Sequence, residues 1–317
     1  MPHFHTELTI SFDQAGPRLD QFLAQTYPDY SRSRWQQWIV AGAVLINKAA
    51  SNAKYKLREG DHIAIDVTIE EQVLDKPQAI ALDIIHADKD IIVLNKPAGL
   101  VVHPAAGNRD STLLNALLHY APELAEVPRA GIVHRLDKDT SGLLMVARNL
   151  KSHTRLVRQL QAREIHREYL AIARGKLIAG ATVHAPIGRH PKERVKMAVI
   201  HSGKPAVTHY RIAERFAHYT LLQVQLETGR THQIRVHLAH VKHPLLGDQT
   251  YGGRLQLPAG SDATLNEAIK KFKRQALHAY KLGLEHPGTR EYIEFEVQPP
   301  QDFLSLLEIL REYDHNK

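Results

Sequence analysis

From residue 81 onward, strand-like and helix-like stretches follow one another without regular alternation, and that order restricts the fold more tightly than composition does. Strand patterns occur at 91–94, 142–147, 169–173, 221–226 and 292–297, and helix patterns at 113–120, 152–162 and 303–313. A doubly wound parallel sheet needs a crossover helix between successive strands. The irregular order here predicts an α+β unit built on a mixed, largely antiparallel central sheet. No internal repeat divides the stretch.

A smaller unit precedes it. Leu19, Phe22 and Leu23 have helical spacing, and a second helix over 32–40 carries Trp35, Trp38 and Ile39 on one face until Gly42 stops it. Strands are expected at 44–47 and 63–67, separated by a polar turn over 48–54 and by Arg58-Glu-Gly-Asp61. Arg18, Arg32, Arg34 and Lys48 fall away from the apolar positions and form a candidate basic rim, although a solvated helix face would have the same charges. Through RLD at 18–20, SRSR at 31–34 and GAVLIN at 42–47, residues 17–66 resemble the αL RNA-binding motif of the S-four type. The stretch 70–77 is polar and ends in Pro77, which places a linker at 68–80 between the RNA-binding-like domain at 1–67 and a larger domain at 81–317.

Composition excludes several classes of function. The chain has 317 residues and no cysteine, so disulfides, thiolate metal sites and cysteine nucleophiles are out of the question. Forty-one Lys and Arg against 34 Asp and Glu leave a net charge of +7, which makes a polyanion such as nucleic acid the first partner to consider. Residues 1–13 lack the apolar core of a signal peptide, and no apolar run approaches the roughly 18 residues of a membrane span. The expected location is the cytoplasm.

Motifs for phosphate-binding loops, dinucleotide folds and H-E-x-x-H metal sites are absent, which leaves a nucleotide cofactor without support. Among the 21 histidines, His232, His237, His240 and His243 cluster at 231–244, but no carboxylate lies among them, and Arg230, Arg235 and Lys242 oppose a dication. No metal is expected. The densest polar segment is RAGIVHRLDKDTSG at 129–142. Within it Asp137 sits among Arg135, Lys138 and a Thr-Ser-Gly turn, surroundings that favour an ionised carboxylate suited to nucleophilic or base chemistry. An aspartate that merely caps its own turn fits the same residues.

The family resemblance favours the first reading. GIVHRLDKDTSG at 131–142 resembles the H-R-L-D-x-x-T-S-G signature of the RluA-type pseudouridine synthases. REYLA at 167–171, GRTHQIRVH at 229–237, HPLLGD at 243–248, Tyr251-Gly252, LNKPAGL at 94–100 and VHP at 102–104 follow the same pattern. The resemblance implies the pseudouridine synthase fold and an isomerase that needs no cofactor. Its substrate would be uridine in large-subunit ribosomal RNA, in a hairpin loop near the subunit interface, and its place would be in ribosome biogenesis. The chain would act as a monomer.

The same resemblance assigns roles. Asp137 becomes the catalytic carboxylate, acting either as nucleophile at ribose C1′ or as base at the sugar. Tyr169 would stack on the target uracil, and Arg135 would fill the gap that the flipped base leaves. Residues 233–237 alternate as a strand would, with Arg235 opposite to Ile234 and Val236. That placement lets Arg235 stand beside Asp137, with Arg230 as the competing partner and RNA phosphate as the competing use.

Overall fold

The computed structural model of the chain describes residues 3–27, 30, 32–68, 76–104, 107–193 and 195–316. Residues 69–75, most of the linker expected at 68–80, lie outside the described residues. The chain divides into two compact units, Met1–Asp75 and Lys76–Lys317.

In the first unit, strand β1 (His3–Thr9) precedes helices α1 (Leu19–Thr26) and α2 (Arg32–Val40), which are followed by β2 (Val44–Ile46), β3 (Ala49–Ala50) and β4 (His62–Thr68). The sheet order is β1-β4-β2-β3, and every pair is antiparallel. Leu19, Leu23, Trp35, Ile39, Ile63 and Ile65 form its core at 0–1% exposure, which is why helices this short persist. Strand β1 was not foreseen, because the polar residues His3, His5 and Glu7 alternate with few strong apolar ones.

The second unit holds β5 (Ile84–Ala87), β6 (Ile91–Lys96), α3 (Leu113–Tyr120), β7 (Ser141–Ala147), α4 (Leu150–Ala162), β8 (His166–Arg174), β9 (Ala181–His184), β10 (Ile187–Arg189), β11 (Met197–Val199), β12 (Val207–Arg215), β13 (Tyr219–Leu226), α5 (Gln233–His240), α6 (Ala263–Lys271), β14 (Leu277–Glu285), β15 (Tyr292–Glu296) and α7 (Gln301–His315). Its main sheet runs β5-β6-β7-β14-β8-β13-β12-β9, with β15 also on β14. Among the described residues only β7 and β14 pair in parallel, so the sheet is mixed and largely antiparallel.

Strand β7 is buried at all seven positions. Leu144 and Val146 join the core that includes α3, and Leu143, Met145 and Ala147 join the one beneath α4. A continuous apolar run is what a strand covered on both faces requires. Gly142 has φ +114°, and a Cβ there would run into the Ala279 carbonyl where β7 meets β14. Glycine at this position therefore lets the segment bearing Asp137 enter the sheet.

One expectation is corrected. Residues 233–237 are the start of helix α5, not a strand, and 233–238 are all buried. Five residues are too few for their periodicity to separate a strand from a helix buried on every side. The polar members find partners inside. Gln233 accepts from the Thr228 hydroxyl (2.7 Å) and donates to the Val207 carbonyl (2.9 Å), while His237 bonds Thr208 Oγ1 (2.8 Å) and the Ala185 carbonyl (2.9 Å).

Candidate active site

Asp137, Tyr169, Arg235, Arg135 and Arg230 line one cleft of about 360 Å³, room for a single nucleotide. Asp137 lies in the loop before β7, Tyr169 on β8, and Arg235 on the first turn of α5. The helix reading brings Arg235 to the carboxylate as the strand reading intended. Its Nη1 donates to Asp137 Oδ2 at 2.9 Å. Its Nε and Nη2 donate to Asp248 Oδ2 and Oδ1 at 2.7 and 3.0 Å. Arg230 instead donates from Nε to the Pro205 carbonyl (3.1 Å).

One guanidinium thus bridges two carboxylates and fixes both in space. Burial opposes the charge on Arg235, but the bonds and charge of Asp248, and then of Asp137, outweigh it and raise its pKa. Asp248 is itself held by the backbone N–H groups of Thr250 (2.9 Å) and Tyr251 (3.0 Å). The Tyr251 ring lies 5.0 Å from the guanidinium carbon. Its hydroxyl accepts from the Met197 N–H (2.9 Å) and shares a hydrogen bond with His232 Nδ1 (2.8 Å). His232 Nε2 lies 3.8 Å from Asp137 Oδ1. Burial lowers the His232 pKa against the pull of Asp137, and Arg235 and Arg135 lower it further, so the ring is neutral.

The loop bearing Asp137 is clamped from below by Lys96, which is fully buried at the end of β6. Its Nζ donates to the carbonyls of Pro97 (2.7 Å), Leu100 (3.0 Å) and Lys138 (2.9 Å). Burial pushes its pKa down to about 7, opposed by Asp139 and Asp137. The Gly99 N–H shares the Lys138 carbonyl (2.9 Å). Sequence reasoning did not single out Lys96, Asp248, Tyr251 or His232 for the site, although LNKPAGL, HPLLGD and Tyr251-Gly252 had been noted as motifs.

Tyr169 is 5% exposed within the cleft wall. Burial raises its pKa, with Arg167 pulling it down and Asp137 pushing it up, so the ring is a neutral phenol. Arg135 is exposed at the cleft. This arrangement offers a fixed carboxylate, an aromatic face and cations at the rim, which suits chemistry on one base or sugar of a polyanion.

The four candidates of the first unit divide. Arg18 and Arg32 are tied to the buried Asp20: Arg18 donates from Nε and Nη2 (3.1 and 3.0 Å) and Arg32 from Nε (2.9 Å), while Gln36 adds a third partner (2.6 Å). Both remain partly exposed, with side chains 30% and 44% accessible. Arg34 lies over the Trp38 ring at 5.0 Å, and Lys48 is exposed in the turn after β2.

The described residues hold one cluster of potential metal ligands, Asp88, Asp90 and His286. His286 Nδ1 accepts the N–H groups of Gly288 (3.2 Å) and Thr289 (3.0 Å), which leaves Nε2 protonated and donating to Asp88 (2.9 Å). A nitrogen that carries a proton is no metal ligand.

The fold and the cleft define an RNA-modifying enzyme of the pseudouridylate synthase class. Residues 90–240 match the RNA pseudouridylate synthase family and residues 17–63 match the S4 domain. The chain belongs to that family and is an isomerase. It is 55% identical over 304 residues to ribosomal large subunit pseudouridine synthase D of Escherichia coli (strain K12), covering 96% of this chain and 93% of that protein. The protein of the same name from Haemophilus ducreyi is 56% identical over 303 residues, 95% and 93% of the two chains. Among solved structures, human RNA pseudouridylate synthase domain containing 4 has a TM-score of 0.57 and 25% identity, covering 72% of this chain and 93% of that one. No helix among the described residues is long and apolar enough to cross a membrane.

Proposed function

We propose that the chain isomerises uridine to pseudouridine in large-subunit ribosomal RNA, in a hairpin loop near the subunit interface, with Asp137 as the catalytic carboxylate. The C1′–N1 bond breaks, the retained uracil turns, C1′ joins C5, C5 loses its proton and N1 gains one. No oxidant, reductant or external energy source is required, which accords with a reaction that needs no cofactor. Asp137 acts as nucleophile at C1′ or as base at the sugar, and both roles need a carboxylate held in place.

The observation that carries this reading is the bridge from Asp248 through Arg235 to Asp137, because it orients one oxygen of Asp137 and leaves the other toward the cleft. Tyr169 supplies the stacking face for the flipped uracil, and Arg135 enters the gap in the RNA, where a planar guanidinium stacks and donates at once. Arg230 contacts RNA at the rim. Arg18, Arg32, Arg34 and Lys48 of the first unit meet RNA phosphates, with 68–80 as the linker. The protein works as a monomer in the cytoplasm, on ribosomal RNA or the assembling large subunit.

Asp137→Asn keeps the shape and removes the ionisable oxygen. Conversion of ribosomal RNA uridines should be abolished while RNA affinity stays within about threefold. Residual turnover within about tenfold of wild type, a barrier change of only about 1.4 kcal/mol, would sink the assignment.

A further inference from the structure

The cleft wall contains a charge that no carboxylate among the described residues answers. Arg167 stands on β8 two residues before Tyr169, so both side chains leave the same face of the strand. It is 7% exposed, its Nε is shut away with no hydrogen-bond partner, and among the described residues no carboxylate pairs with it. Arg235, equally buried at 6%, is matched by two carboxylates. A guanidinium that deep is stable only if an acceptor reaches it.

The neighbours of Arg167 keep its charge available. His134, also in the wall, accepts the Met145 N–H at Nε2 (3.0 Å) and is held neutral, its pKa pushed down to about 3 by burial and by Arg167. Tyr169 is a neutral phenol. At Gly229, which also lines the cleft, a Cβ would stand 2.9 Å from Arg167 Nη1, so glycine leaves the guanidinium its place.

We propose that Arg167 donates to a carbonyl oxygen of the flipped uracil and so recognises the base, rejecting cytosine as well where the contact is O4. This rests on reading the cleft as the uridine site. A guanidinium only donates, and the uracil edge presents two carbonyl acceptors, whereas cytosine replaces one of them with an amino donor. The phosphodiesters flanking the target continue into the RNA chain and remain at the rim, where Arg135 and Arg230 are accessible. What reaches the buried wall beside Tyr169 is the base.

The test is a cycle between protein and substrate. Conversion is measured under single-turnover conditions for wild type and Arg167→Met, on RNA whose target is uridine, 2-thiouridine or 4-thiouridine, sulfur being the weaker acceptor. In wild type, sulfur at the contacted position should lower kcat/KM about tenfold. In Arg167→Met the uridine rate should already be down by about 10- to 100-fold, and the same sulfur should then change it less than about twofold. Arg167→Lys, which keeps charge but loses the fork, serves the same cycle if Arg167→Met fails to fold. Where a sulfur RNA is not turned over, the cycle is read on Kd in the Asp137→Asn background.

Losses that multiply independently for both thio positions would overturn the proposal. Coupling instead to a methylphosphonate beside the target would overturn it too, and would assign Arg167 to phosphate. If Asp137→Asn itself turns over normally, the reading of the cleft fails; if Asp137→Asn is inactive and no coupling is found, only the Arg167 assignment fails.

Discussion

At the scale of single residues, Arg235 answers two carboxylates that differ in what else they touch. Asp248 is 3% exposed and bonded to two backbone N–H groups, while Asp137 faces the cleft. Asp248→Asn should therefore lower single-turnover kcat about 10- to 100-fold, by releasing Arg235 from its fixed geometry, while Kd for RNA stays within about twofold. Rates at saturating RNA and binding isotherms separate the two; an equal loss in both would make Asp248 a fold residue only. Tyr169 divides differently. Tyr169→Phe should keep most RNA affinity and test the hydroxyl, whereas Tyr169→Ala should lose about 1–3 kcal/mol of stacking as well. If the two variants behave alike in conversion and binding, stacking is not the role of that ring. These residues were unequally legible. Asp137 and Tyr169 sit in short motifs, but the Lys96–Lys138 bond spans 42 residues and the Arg235–Asp248 pair 13, and neither spacing marks a contact. Arg167 lies in the REYLA motif, yet the missing partner of its Nε among the described residues exists only in the folded wall.

At the scale of elements, the sheet carries a histidine that contributes to how the unit responds to acid. His278 on β14 is fully buried, donates from Nε2 to the Val297 carbonyl (3.3 Å) and accepts the Ser141 hydroxyl at Nδ1 (2.9 Å), which fastens β14 to β7. Burial pushes its pKa down to about 4; the Val297 carbonyl opposes this and Arg274 adds to it. The unfolded chain takes up this proton near pH 6.5 and the folded chain not until about 4, so unfolding binds a proton between the two. Stability should thus fall as pH drops through that window, by up to about 1.4 kcal/mol per unit from this group, and level off below it. Denaturant midpoints of wild type and His278→Gln at pH 7 and 5 check it: the variant should fall less steeply, and parallel falls would remove His278 from the account. The same strand shows why the sheet was only partly read. β6, β7, β8 and β13 have strong apolar runs, whereas β14 includes Lys281 and Gly283 and owes its central place to β7 and β8, far away in sequence. α5 was misread because its polar faces are satisfied by Thr208, Val207 and Ala185, partners that no local pattern reveals.

At the scale of the whole molecule, every residue placed in the cleft, from Lys96 onward, belongs to the second unit and the proposed basic rim lies before residue 67, in a unit with its own core. Binding and conversion should therefore separate. Removal of residues 1–75 should leave a folded catalytic unit that converts RNA at high concentration and binds its full ribosomal target more weakly. Each lost phosphate contact flattens the log–log salt dependence by about 0.7 to 0.9. Arg18 and Arg32 are engaged with Asp20 and only partly exposed, so the structure lets them reach phosphate without being free to move, whereas Lys48 is open in its turn. If all four rim cations act, the truncated protein should lose about 2.8 to 3.6 units of slope; if Asp20 withholds Arg18 and Arg32, about 1.4 to 1.8. Binding of full-length and truncated protein to large-subunit RNA between about 50 and 200 mM salt distinguishes these cases. An unchanged slope removes the rim from the account, and a truncated protein that is folded but inactive at saturating RNA would mean that the first unit helps to assemble the cleft. Substituting Lys48 alone then fixes the scale, because an exposed cation with no carboxylate partner among the described residues should account for one contact and no more.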